Sequence, residues 1–138
     1  MKLSDFYFAD RHAEGTKMPI LLPSGEDSGE WLQVVGPDCD QAVIAGRAYT
    51  AAVRKVDDDL RPLEKECEAI ENYAKYNDQR GYLLEDLNSQ LAAEIVTGWS
   101  FDDEFSKESL IALLKQYRGL AQAIAAHHVQ SREELSAK

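Results

Sequence analysis

The stretch that most constrains the fold runs from Leu83 to Ile124. Leu84, Leu87, Leu91 and Ile95 fall three, four and four residues apart, which is one face of an α-helix. That face must bury. Gly98 follows just past the last periodic residue, where a helix commonly closes through a left-handed residue, so the spacing predicts a helix stop there. Trp99 and Phe101 come next. An aromatic side chain placed directly after such a stop packs back on the helix it has left, so Trp99 is expected to be buried between the flanking helices. Asp102-Asp103-Glu104 returns the chain to solvent. Ser106 is then placed to cap a second helix with apolar positions Leu110, Ile111, Leu113, Leu114 and Tyr117. A second break at Arg118-Gly119 precedes a third segment built on Leu120, Ile124 and a run of alanines.

Upstream, Thr16–Leu22 and Glu30–Val35 are short, apolar and rich in β-favouring residues, and the intervening segment from Pro23 to Gly29 is dense in turn formers. The pair reads as an antiparallel hairpin with Pro19 confining its strand to an edge or a bulge. Residues 1–15 show no period and are expected to form a short strand or arm. Asp38 or Asp40 is placed to cap a helix running to about Val56, and Pro62 either starts a new helix or kinks a continuous one. Residues 63–80 carry only a narrow apolar stripe (Leu63, Cys67, Ile70, Tyr73 and Tyr76 or Ala74), which suits a helix pair or an exposed connecting helix. Ser131–Lys138 is expected to fray. The expectation is therefore one α+β domain over 1–138: a small N-terminal β-hairpin region (1–36), a mostly helical body of four to five helices (37–130) and a frayed tail (131–138).

The 138 residues carry a net charge of −10. Residues 1–105 hold ten basic and twenty-two acidic side chains, while 106–138 hold five and three, so the acidity belongs to the body. Such a surface disfavours nonspecific nucleic-acid binding, which needs clustered Lys and Arg, and favours basic or apolar protein partners. No apolar run approaches the ~18 residues of a membrane span. Met1–Phe6 lacks the apolar core of a signal peptide, so the expected location is the cytoplasm.

Motifs that would carry chemistry fail on inspection. Asp57-Asp58-Asp59 with Glu68 has acids where a calcium loop wants them at its first, third and last positions, but Arg61 and Pro62 stand where that loop needs an oxygen ligand and a glycine. His127 and His128 are adjacent and point about 100° apart on a helix, whereas zinc motifs space histidines by a turn. They read as helix-end histidines near exposed carbonyls. Cys39 and Cys67 suit reduced thiols, and the segment Gly25–Gly29 lacks the Lys-Ser/Thr pair of a phosphate loop. The expectation is a protein with no catalytic residue, no metal and no cofactor.

Val96-Thr97-Gly98-Trp99-Ser100, an acidic linker, Phe105-Ser106, the helix around Leu110-Ile111 and Leu113-Leu114, and then Gly119-Leu120-Ala121-Gln122-Ala123-Ile124 together resemble the C-terminal half of tail assembly chaperones from long-tailed, siphovirus-type bacteriophages. Gly36-Pro37-Asp38-Cys39-Asp40 is similar to the Gly-Pro-Asp-Ser turn that this family places between an N-terminal strand and the first helix, with Cys39 in place of the serine. The resemblance touches residues 30–125. It implies a protein of the infected host's cytoplasm that binds the tape measure protein, keeps it soluble, helps recruit the tail tube protein, and in that family also exists as a frameshifted longer form.

Independently of the resemblance, uncovered hairpin edges and narrow-striped helices predict a homo-oligomer. If the C-terminal helices form the partner surface, Leu110, Leu114, Tyr117 and Ile124 are its contacts, with Gly98 and Trp99 in structural roles. The competing account has the same side chains filling the core. A second class of function stays open at this point, an acidic DNA mimic displaying the seven acids between Asp57 and Glu71. The leucine-rich, weakly basic C-terminal third favours the chaperone.

Overall fold

A computed structural model describes residues 1–137 of the chain. After a single 3₁₀ turn (Leu3–Phe6), the elements run α1 (Ala9–Glu14), β1 (Thr16–Leu21), β2 (Asp27–Val34), α2 (Asp40–Asp59), α3 (Arg61–Ile70), α4 (Ala74–Ile95), β3 (Val96–Trp99), α5 (Lys107–Gln116) and α6 (Leu120–Leu135). The three strands form one antiparallel sheet in the order β1-β2-β3. The α+β class and the N-terminal hairpin are as expected; the described residues form six α-helices, one more than the four to five read from the sequence because α1 precedes the hairpin.

The sheet gains a strand that the sequence reading missed. Val96 leaves α4 in an extended conformation, and β3 pairs with β2 through Leu32 opposite Trp99, Gln33 opposite Gly98 and Val34 opposite Val96. Gly98 therefore sits in a strand and not in a left-handed helix cap. The carbonyls at the end of α4 find other partners: Ile95 accepts from the Val35 N–H at 2.9 Å and Glu94 from the Gln41 side-chain amide at 2.7 Å. Long-range bonds thus do the work of a glycine cap. Trp99 is half-buried. Its Nε1–H donates to the Asp103 carbonyl at 2.8 Å, and its ring meets Phe101 and Phe105 edge-on at 5.3 and 5.1 Å, so the aromatic cluster is local to its own loop.

Pro19 lies in the edge strand β1, as its missing N–H requires, and the register shifts beside it between Pro19 and Leu21. The Ser28 hydroxyl takes up the Ile20 carbonyl at that irregularity, at 2.6 Å. Cys39, not Asp38 or Asp40, is the first flanking residue of α2, and its thiol turns back to the Gly36 carbonyl at 3.3 Å. Asp38 is committed elsewhere, to both guanidinium donors of Arg132 in α6 at 3.0 and 3.1 Å. Pro62 starts α3 in its first turn. That helix closes at Glu71, a non-glycine residue in the left-handed region (φ 53°), with the Asn72 N–H bonded to the Cys67 carbonyl and the Glu71 N–H to that of Glu68. This is a Schellman closure.

The core lies between the sheet, the first turns of α2, the last turns of α4, and α5 and α6. Leu32, Val34, Val35, Ile95, Leu110 and Ile124 are fully enclosed there. From Gly46 in α2 through Gln90 in α4 only Leu60 and Cys67 are buried, so these two helices and α3 carry little core of their own. At the other end the chain stays folded past residue 130. Ser131 and Leu135 are buried, and α6 runs to Leu135, where fraying was expected. His12 anchors this end. Its Nδ1 accepts the Asp38 N–H and its Nε2 reaches the Ser136 hydroxyl, both at 3.0 Å, while Arg11 bonds the Ala137 carbonyl.

Candidate functional site

The four side chains expected to meet a partner are placed mostly inside. Leu110 and Ile124 have no exposed surface, Leu114 retains 5%, and all three belong to the core. Tyr117 is half-buried and donates its hydroxyl to the Leu21 carbonyl in the edge strand at 2.5 Å. In this conformation three of the four present almost no surface to another molecule.

An open, mostly apolar groove of about 650 Å³ lies instead between α2, α4 and α5. Gln41, Ile44, Ala45, Ala48, Tyr49 and Ala52 line it from α2, Leu87, Gln90, Leu91 and Glu94 from α4, and Lys107 and Ile111 from α5. Local sequence builds it in a simple way. Alanine is the strongest helix former and the smallest side chain with a Cβ, so a helix bearing Ala45, Ala48, Ala51 and Ala52 is stable yet leaves space above its neighbours. Ile44 stands at the edge of that space with 66% of its surface exposed.

Both ends of the α2–α4 pair are pinned by polar contacts. At the core end, Gln41 bonds the Glu94 carbonyl, and Lys107 Nζ sits 2.9 Å from both oxygens of the Glu94 carboxylate. At the far end, Arg80 donates to Asp57 at 2.8 Å. That hydrogen bond, with the guanidinium charge behind it, holds the Asp57 carboxyl below the usual range and raises Arg80 above its own. Next to this pair the Tyr76 phenol is pushed upward, first by desolvation and then by its hydrogen bond to Glu64. These contacts tie α4 to α2 at both ends of the pair and to α5 at one.

All three histidines sit where α6 meets the rest of the chain. His127 Nε2 is 2.6 Å from the Thr16 hydroxyl in β1, and His128 Nδ1 donates to the Val35 carbonyl at 2.6 Å. The carbonyl that His128 finds belongs to the sheet margin, not to a helix end. Burial lowers His127, and burial likewise lowers His12 against the opposing pull of Asp38. Both therefore rest as neutral rings that position α6. Among the described residues no three His, Cys, Asp or Glu side chains converge on a metal-sized site, and no helix is long and apolar enough to cross a membrane.

Sequence reasoning missed Ile44 and the alanine row because it sought the face that buries. The signal was present as the β-branched Ile44 followed at helical spacing by Ala48 and Ala52.

No curated protein and no solved structure matches the chain. A family does: the phage tail assembly chaperone family matches residues 48–135. The matched region starts in α2 and takes in α3, α4, β3, α5 and α6, and so contains the alanine row from Ala48, all of the α4 lining and the α5 wall of the groove. With well over half of its length matched, the chain belongs to the phage tail assembly chaperones.

Proposed function

We propose that this chaperone binds the tape measure protein in the cytoplasm of the infected host, keeps it soluble, and assists assembly of the tail tube around it. It acts by binding alone, without a catalytic step or a cofactor. The observation that carries this reading is the open apolar groove between α2, α4 and α5 in a chain of this family. A long helical client is recognised through apolar anchors at helical spacing laid into such a groove.

The acidic-mimic alternative has less surface to work with. Asp57 is held by Arg80 at 2.8 Å and Glu64 is bonded to Tyr76, so two of the seven carboxylates are turned to partners on α4, and Asp58 is paired at the surface with Arg61 at 2.9 Å. Co-expression of this chain with the tape measure protein of the same phage tests the proposal. The expected result is a rise in soluble tape measure protein and a complex that co-purifies. A folded chaperone that neither raises solubility nor co-purifies with it overturns the reading.

A further inference from the structure

We propose that a second copy of this chain docks antiparallel along the outer face of α2, forming a two-fold dimer. The inference goes beyond the client-binding reading, because it concerns how copies of the chaperone meet and not what they carry. Asp40, Ile44, Ala48, Ala51 and Lys55 are all exposed. Their steps of four, four, three and four residues keep them within an arc of about 80° on α2, a straight stripe about 22 Å long. Ile44 stands out from it with 66% of its surface exposed.

A two-fold contact requires a surface that is complementary to itself. This stripe has that property when laid against its own reverse. Asp40 then falls opposite the partner's Lys55, Ile44 opposite the partner's Ala51, and Ala48 beside the dyad, and symmetry makes each contact twice. Ala48, Ala51, Ala52 and Lys55 are the corners of the hole that a facing helix fills with one side chain, and the partner's Ile44 is that knob. Alanine at three of the four corners lets the helix axes approach at the short end of the usual 8–10 Å separation. A parallel pairing would set Asp40 on Asp40 and Ile44 on Ile44 and leave the hole empty, so shape and charge choose the same direction.

The other charges of α2 are consistent with this register. The helix carries seven charged side chains. Asp40 and Lys55 form none of the ion pairs among the described residues, so each is available to the other copy. Arg54, exposed beside Lys55, adds to the attraction for the partner's Asp40. Asp57, Asp58 and Asp59 lie past the end of the partner's helix, the first two already held by Arg80 and Arg61. Arg47 opposes the contact, since it flanks the dyad about 60° around the helix from Ile44 and there meets its own copy. Ile44, Ala48 and Ala52 also edge the groove, so client and second copy share that edge.

A contact about 22 Å by 10 Å on each copy is far smaller than the ~1,200 Å² of a standard interface, so the dimer is expected to be weak, with a Kd on the order of tens of micromolar. Sedimentation equilibrium of the full chain, taken well above and well below that concentration, tests this. Ile44→Asp, at a largely exposed position, is expected to weaken association roughly tenfold or more while the circular dichroism spectrum stays unchanged. Asp40→Lys puts cations at both ends of the stripe and Lys55→Asp puts carboxylates at both, so each variant alone is expected to stay monomeric. Mixed one to one, the two are expected to form a dimer containing one of each. Arg47→Ala is expected to tighten the parent dimer several-fold by removing the like charge at the dyad.

A monomer at every concentration, a self-associated species that Ile44→Asp leaves intact, or charge variants that fail to associate when mixed overturns the inference. If the chain stays monomeric while the tape measure protein co-purifies, the dimer is wrong and the chaperone reading stands. If the dimer responds as expected while the tape measure protein is not retained, the dimer holds and the client is another protein.

Discussion

Gly36 makes the sharpest demand of any position in the chain. A Cβ built there would lie 2.4 Å from His12 Nδ1 and 2.5 Å from Leu135 Cδ1. Leu135 ends in a flexible side chain that can rotate away. His12 cannot, because it is fully enclosed and held at both ring nitrogens, by the Asp38 N–H and by the Ser136 hydroxyl. Restoring ordinary contact with the new methyl needs a ring shift of about 1 Å, enough to lengthen both hydrogen bonds past usefulness. Overpacking alone costs about 1–3 kcal/mol, and a buried polar group stripped of its partner costs a similar amount.

Gly36→Ala is therefore expected to destabilise by roughly 3–5 kcal/mol, a large share of the margin of a single domain. Urea unfolding followed by circular dichroism measures the loss. The same substitution in a His12→Ala background isolates the cause, since without the imidazole the methyl has room and the additional cost is expected to fall below about 1 kcal/mol. A Gly36→Ala protein within about 0.5 kcal/mol of the parent would refute the argument. An undiminished cost in the His12→Ala background would show that the backbone, not the ring, needs the glycine.

Glu71 holds a left-handed conformation at the Schellman closure of α3 and is exposed, so Glu71→Gly is expected to stabilise by about 1 kcal/mol, read as a higher urea midpoint at unchanged slope. Leu114→Ala is expected to cost about 2–5 kcal/mol because Leu114 is core, and a stable variant that loses only partner binding would return that side chain to the contact surface. Burial lowers His12 and His127 below their ordinary 6.5, so the unfolded chain binds more protons than the folded one in that range. The stability they contribute is complete above pH 6.5 and drains away as pH falls through their folded values; a urea midpoint unchanged between pH 7.5 and 5.5 would contradict this.

Strong local signals carried over from sequence to structure: the hairpin, the break at Pro62, the Ser106 cap of α5 (whose hydroxyl accepts the Ser109 N–H at 3.0 Å) and the leucine faces around Leu110 and Leu114. Each depends on residues close to one another along the chain. What stayed hidden depends on distant partners. Val96–Trp99 becomes a strand because β2 offers it a free edge, and nothing within the four residues announces that. The tail past residue 130 orders because Asp38, His12 and Arg11, over ninety residues away, bind Arg132, Ser136 and Ala137.

The groove was hidden for a different reason. Apolar periodicity reports which face of a helix buries, so it identified Leu110, Leu114 and Ile124, and burial removed them from any surface. A contact surface is made from what burial leaves over, here Ile44, a row of alanines and the margins of α4 and α5, and no single segment shows that remainder.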